Sequence, residues 1–390
     1  MTHTMRMLFA AAAWAAVAFF QGLGAQGIAF DERPWGELLA EAGKRNQLIF
    51  LDAYAAWCGP CKRMDREVFL REDVGAFFNA NFVNARIDME HGEGPDLAAA
   101  YEVMLYPTLL FVNAEGQRVH YAVGYHSPNE LIALGRLALT PSCTLSALEK
   151  GYAAGGRSDT LLDRLLEARA AAAHPELEPL AAELLDLRKG RWLEPANMDL
   201  IMLYVSDPYS PHFVFFKENA DAFAQHYSRE AVRAKCEHVM AERLDDEPDM
   251  PLGDIQRLIA AVYPDDLAPP IASAFRISYF MQRGEAQAFA HAAIDHYDRY
   301  PSSDPEELNE IAWVFYKNFD EKPLLEKAIE WAAKSVSVKE SYYNTDTLAA
   351  LYAKTGDRKK ARKYAQRAIQ LAKEIGEDYS ETQKLLDSLR

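Results

Sequence analysis

Between residues 26 and 140 the apolar positions switch repeatedly between helical spacing and short continuous runs. "DERPWGELLAEAGKRN" has an acidic opening, an early proline, and Trp35, Leu38 and Leu39 at helical spacing, so it predicts a helix. "QLIFLDAY" is short and almost wholly apolar, the pattern of a buried strand, and it is cut off ahead of a Gly-Pro pair. A helix is expected to open at "CGPCK" and carry Met64, Val68 and Phe69 inward. "NFVNARIDM" is a second strand, and "GPDLAAAYEV" a helix opened by Pro95 with Asp96 in its first turn. "PTLLFVNAEGQRVHYAVG" predicts two strands joined through Asn113–Gly116. "SPNELIALGRLAL" is a closing helix, with Ser127 at its N-cap and Pro128 at the first helical position. The order α-β-α-β-α-β-β-α predicts an α/β sandwich with a mixed sheet.

From residue 141 strand patterns nearly vanish. Helical periods follow one another, as in "DTLLDRLLEARAAAA", "SREAVRAKCEHVMAERL" and "PLGDIQRLIAAVY", with Pro, Gly and Asp at the breaks. Only "SPHFVFF" is open to both strand and helix. In "TLAALYAKTGDRKKARKYAQRAIQLA", Ala349, Ala361, Ala365 and Ala368 flank a turn at Gly356-Asp357. Ala312, Phe315, Ala328 and Ala332 fall in comparable places in an earlier copy. This pattern resembles a tetratricopeptide repeat, in which small residues let paired helices approach closely. The expected organisation is therefore a leading segment over 1–25, an α/β domain over 26–140, a helical domain over 141–300 and tetratricopeptide-like helices over 301–390.

Charge and the N-terminus narrow the function classes. A formal net charge of −16 over 390 residues argues against nucleic acid, whose phosphates need Lys and Arg. Arg6, an apolar run from Met7 to Phe20 and the small-residue stretch "QGLGAQG" form the pattern of a secretory signal. A periplasmic or otherwise extracytoplasmic location follows as an expectation, in a compartment where disulfides persist.

Four cysteines in so long a chain do not make a disulfide scaffold, and the pair in "AWCGPCK" has a local purpose. Taken alone, Cys58-Gly59-Pro60-Cys61 is open to a redox pair, half of a metal site, or a staple. Zinc lacks a second pair and a nearby His. Cu(I) would need soft donors such as Met64 and Met89. For redox work, a cysteine opening a helix has its thiolate stabilised by unpaired backbone N–H groups and the helix dipole. Cys61, one turn on, is within reach of a mixed disulfide on Cys58. Cys143 and Cys236 are read as inert thiols, and His120 and His126 as surface residues.

"WCGPCK" preceded by "LIFLDAYAA" resembles the active-site segment of the thioredoxin family, and the likeness extends over roughly residues 30–140. The resemblance implies a thioredoxin-like fold followed by an all-α helical-repeat region. It implies thiol–disulfide exchange with protein or peptide partners, with Cys58 as the more exposed attacking thiol and Cys61 as the buried resolving thiol. Asp52 would relay the Cys61 proton, and Tyr106-Pro107-Thr108 would be the cis-proline loop that faces the sulfurs. Trp57, Gly59, Pro60, Tyr106 and Thr108 would contact substrate. Gly124 stands at the family's glycine after the hairpin. Asn84 stands where many members carry a lysine beside the buried Asp, and Tyr106 replaces a smaller aliphatic residue. No cofactor or metal is expected beyond the dithiol itself, although an electron donor is required. The Cys-Gly-Pro-Cys form favours a reductase. The alternatives are a scaffold whose helical region holds a protein partner, with redox secondary, and a copper-handling protein.

Overall fold

The computed structural model describes residues 27–389, and the expected targeting segment over 1–25 lies outside them. The chain forms two compact units, one up to Val205 and one from Ser206.

The first unit opens with α1 (Trp35–Arg45) and β1 (Leu48–Tyr54), followed by α2 (Gly59–Met64), which runs into a π-type turn over Asp65–Phe69. Then come α3 (Glu72–Asn81), β2 (Phe82–Asp88), α4 (Gly94–Tyr101), β3 (Thr108–Val112), β4 (Arg118–Val123) and α5 (Pro128–Ala138). The sheet order is β2-β1-β3-β4, with β1–β2 parallel and the other two pairings antiparallel. This is the mixed sheet expected. Helix α3 was not anticipated, although Glu72 and Asp73 in its first turn and the Val74–Phe78 spacing carry the signal.

Strand alternation sends β1 to two cores. Ile49, Leu51 and Ala53 pack with Leu38 and Ala42 of α1 and with Leu97 and Tyr101 of α4. Phe50 packs on the other side with Met64, Val68 and Phe78 and with Leu131 and Leu134 of α5. Asp52, two residues on from Phe50, belongs to that second face. The N-cap expected at Ser127 is present, and with Glu130 it forms a capping box: Glu130 accepts the Ser127 N–H at 2.7 Å while the Ser127 hydroxyl accepts the Glu130 N–H at 3.5 Å.

Helices α6 (Leu145–Ala153), α7 (Asp159–Ala171), α8 (Glu178–Leu187) and α9 (Pro195–Tyr204) complete the first unit. Helices α6 and α7 pack against β4, with Tyr121 set against Leu145, Leu148, Leu162 and Leu165. They thus pack on the strand at the edge of the sheet. This burial corrects the surface reading of His120, which is 2% exposed. Its Nδ1 accepts the Leu145 N–H at 3.1 Å, so the imidazole is neutral with its proton on Nε2.

The second unit is helical throughout: α10 (Pro211–Glu218), α11 (Ala220–His226), α12 (Arg229–Asp246), α13 (Leu252–Val262), α14 (Ala268–Gln282), α15 (Ala286–Arg299), α16 (Pro305–Asn318), α17 (Lys322–Val338), α18 (Tyr342–Lys354), α19 (Arg358–Ile375) and α20 (Ser380–Ser388). The ambiguous "FVFF" is helical, with Phe213 and Phe216 buried. Helices α16–α17 and α18–α19 are successive packed hairpins. Ala312, Ala328, Ala332, Ala349, Ala361, Ala365 and Ala368 are fully buried at their contacts, so the small side chains set how closely the helices approach.

Burial holds the pKa of His120 down to about 4. An unfolded histidine titrates near 6.5, so as pH falls the unfolded chain takes up this proton first. Stability from His120 is thus fully present above about pH 6.5 and lost towards pH 4, by roughly 1–3 kcal/mol. Gln at this position can still accept the Leu145 N–H but does not titrate. His120→Gln is expected to flatten the acid limb of a plot of urea midpoint against pH. Parallel wild-type and variant profiles would refute this assignment.

Candidate active site

Cys58 is the N-cap of α2, and its Sγ accepts the Cys61 N–H at 3.1 Å. Pro60 occupies the first turn, where its missing N–H costs no helical hydrogen bond. The two cysteines form a disulfide, with Cα atoms 5.4 Å apart. In this oxidised form Cys58 is not the more open of the two in any useful sense: the residues are 2% and 1% exposed. Ala55, Tyr54 and Tyr106 pack around the pair. What stands open is the rim, where Gly59 and Pro60 are exposed and the Trp57 side chain projects at 67% exposure.

The Tyr106–Pro107 peptide is cis. The Pro107 carbonyl accepts the Gly124 N–H at 2.8 Å, and Gly124 has φ +92°, a conformation that glycine adopts without a Cβ clash. Thr108 is buried, and its hydroxyl donates to the Leu105 carbonyl at 2.6 Å, so this side chain braces the loop from within. The Tyr106 ring meets the Trp57 indole edge to face with centroids 5.9 Å apart, and the indole N–H donates to Glu90 at 2.9 Å. The Tyr106 hydroxyl is held above its usual pKa by burial first, then by the Glu90 and Asp88 charges. Met104 and Leu105, which were not singled out in the sequence, are 85% and 54% exposed on the same loop. Their exposure depends on the turn after α4, which hydrophobic periodicity does not reveal.

Asp52 is 1% exposed, and its register partner on β2 is Arg86. Arg86 Nε donates to Asp52 Oδ2 at 3.0 Å, and its Nη2 reaches Asp65 Oδ2 at 2.7 Å. Burial raises the Asp52 pKa to about 7; the Arg86 charge opposes the rise and the Asp65 charge adds to it. A carboxyl poised near neutrality suits proton transfer. Arg86 and Asp65 were missed in the sequence because only the parallel register and the helix docking bring them to Asp52. Asn84 lies opposite Phe50, and its amide donates to Asn79 at 3.1 Å.

The soft-donor set considered for copper is not assembled. Met64 and Met89 are buried in separate cores on opposite faces of the sheet. Cys236 donates to the Val262 carbonyl at 3.4 Å, and burial pushes its thiol up to about 11. Cys143 is unpaired as a disulfide and lies 3.5 Å from Arg164 Nη1.

A closed Cys-x-x-Cys disulfide at a helix start, a buried carboxyl and a cis-proline loop define a thiol–disulfide oxidoreductase domain. A family model for a thioredoxin-like domain matches residues 35–138. Thioredoxin H7 of Arabidopsis thaliana is 34% identical over 102 residues, which is 26% of this chain and 73% of that protein. Thioredoxin of Mycoplasma genitalium is 32% identical over 93 residues, 24% of this chain and 82% of that one. The solution structure of a thioredoxin from Thermus thermophilus is 25% identical, covering 30% of this chain and 93% of that chain, with a TM-score of 0.27. Through this domain the chain belongs to the thioredoxin family.

The raised Asp52 pKa has a definite sign in stability. The unfolded carboxyl releases its proton near 3.9 and the folded one near 7, so the fold loses stability as pH rises between those values. Asp52→Asn is expected to unfold at higher urea than wild type at pH 8, by about 1–4 kcal/mol, and to converge with it near pH 4. Equal midpoints at pH 8 would show that the carboxyl ionises there without cost.

Proposed function

We propose that this protein is an extracytoplasmic thiol–disulfide reductase acting on protein or peptide disulfides. The observation that carries the reading is the Cys58–Cys61 disulfide at the start of α2, flanked by the cis Tyr106–Pro107 loop and a projecting aromatic rim. Large exposed apolar groups beside a buried disulfide suit a protein surface better than a small molecule. The reducing direction rests on the Cys-Gly-Pro-Cys form, and the location rests on the sequence of residues 1–25. We assign the exchange domain to 26–140 and the helical and tetratricopeptide-like parts to 141–300 and 301–390. Their surfaces would hold a protein partner, since helical repeats build extended binding faces.

In the reduced enzyme the Cys58 thiolate, stabilised by the α2 N-terminus, attacks one substrate sulfur and expels the other as a thiolate. Trp57, Gly59, Pro60 and Tyr106 meet the incoming chain, and the Pro107 loop, braced by Thr108, aligns it. Asp52 takes the Cys61 proton, and the Cys61 thiolate attacks Cys58 Sγ. The second substrate thiolate leaves, and the Cys58–Cys61 disulfide forms. Two electrons pass to substrate, and a separate thiol donor must return two to the enzyme.

The purified protein, kept reduced, is expected to reduce insulin disulfides. Cys58→Ser abolishes this, and Cys61→Ser leaves substrates covalently held on Cys58, where mass spectrometry identifies them. Trp57→Ala and Tyr106→Ala should each raise KM about 5–30-fold with a smaller effect on kcat. A wild-type protein that cannot reduce insulin, or a Cys61→Ser variant that captures nothing from its own compartment, would overturn the reading. Full activity in cells from a Cys58/Cys61 double-Ser variant would favour the scaffold alternative.

A further inference from the structure

We propose that Arg86 and Asp65 are a pair of positioning residues with opposite effects, which together set the pH at which Asp52 accepts the Cys61 proton. This rests on the reading of Asp52 as that acceptor.

The geometry joins the sheet to the catalytic helix through one guanidinium. Arg86 is the β2 partner of Asp52 in a parallel ladder, so both side chains leave the same face of the sheet. Its Nε binds Asp52 at 3.0 Å and its Nη2 binds Asp65 at 2.7 Å. The guanidinium also lies over the Tyr54 ring, 4.3 Å from its centroid, which fixes the plane from which both donors point. Asp65 stands one helical turn after Cys61, and its N–H donates to the Cys61 carbonyl. Arg86 thus links the strand that carries Asp52 to the helix that carries Cys61.

Each carboxyl gives one oxygen to Arg86. Asp52 Oδ1 and Asp65 Oδ1 are both buried with no hydrogen-bond partner. Arg86 thus orients Asp52 through Oδ2 and leaves Oδ1 as the oxygen able to take a proton. One cation shared by two carboxylates leaves a net negative charge when both ionise, so Asp65 makes a proton on Asp52 more favourable and Arg86 makes it less so.

The other neighbours add no charge of this kind. The β3 residue opposite Asp52 is Leu109, and Arg86 and Asp65 are the charged groups that act on the Asp52 carboxyl. Asn84, the neutral residue two positions before Arg86 on β2, is engaged with Asn79.

The test is a titration of ¹³C-labelled aspartate carboxyls in the oxidised full-length protein, with Asp52→Asn used to assign the Asp52 signal. Arg86→Gln should raise the Asp52 midpoint by about one pH unit or more, and Asp65→Asn should lower it. Arg86→Lys, which keeps the charge but loses the fork, should fall between wild type and Arg86→Gln and guards against loss of folding in the latter. Asn84→Ala should leave the midpoint in place. Shifts of the same sign for Arg86→Gln and Asp65→Asn, or no shift in either, would overturn the proposal. A second readout is the pH profile of mixed-disulfide resolution by Cys61, which should move with the carboxyl midpoint in each variant. Carboxyl midpoints that shift while this profile stays fixed would leave the electrostatic pair standing and remove Asp52 as the Cys61 proton acceptor.

Discussion

A carboxyl group buried in the central strand of the sheet is the constraint that organises the exchange domain. Desolvating a carboxylate costs several kcal/mol unless it is paired or protonated, and Asp52 meets that cost by both routes at once. Arg86 supplies one hydrogen-bonded charge, and burial moves the pKa to about 7, so that protonation relieves the remainder near neutral pH. Because the compensation is partial, the group can change its proton state while the fold persists. A fully paired carboxylate would stay ionised, and an apolar residue would have no proton to exchange.

The rest of the site divides its tasks along the same boundary between buried and open. The disulfide and Asp52 lie inside, while Trp57, Met104 and Leu105 project from the rim. Trp57 is nevertheless held in place by Glu90 and by the edge of Tyr106. A tethered indole loses less freedom when a partner docks than an untethered one. On the proposed function, recognition falls to exposed groups outside the core, and chemistry to groups buried beneath them.

Much of this was legible in the sequence for physical reasons. The almost unbroken apolar run of β1, the Ser127-Pro128 helix start and the Gly-Pro between two cysteines are local signals with local causes. The buried Asp was legible only by resemblance, since an Asp at a strand end ordinarily reaches water. Arg86 was not legible, because its role depends on β1–β2 register: a shift of one residue would send it to the other face. His120 was hidden for a related reason. Nothing within "RVHYAV" says that a helix from residue 145 onward will close over that strand. Met64 and Met89 could be read together as soft ligands only while the sheet between them was unseen.

The covering of β4 bears on where the exchange domain ends. A helix that hydrogen-bonds His120 through the Leu145 N–H is part of the closure of the sheet. So is the leucine cluster of α6 and α7 that receives Tyr121. Removing them would expose an imidazole, an aromatic ring and a strand edge together, an arrangement prone to pairing with other chains. At the opposite edge the chain ahead of α1 does a smaller version of the same work, since the Asp31 N–H donates to the Asn84 carbonyl of β2 at 2.8 Å. At each flank of the sheet a segment outside the strands thus makes contact with the edge strand. Helices α6 and α7 are therefore structural support for the redox sheet.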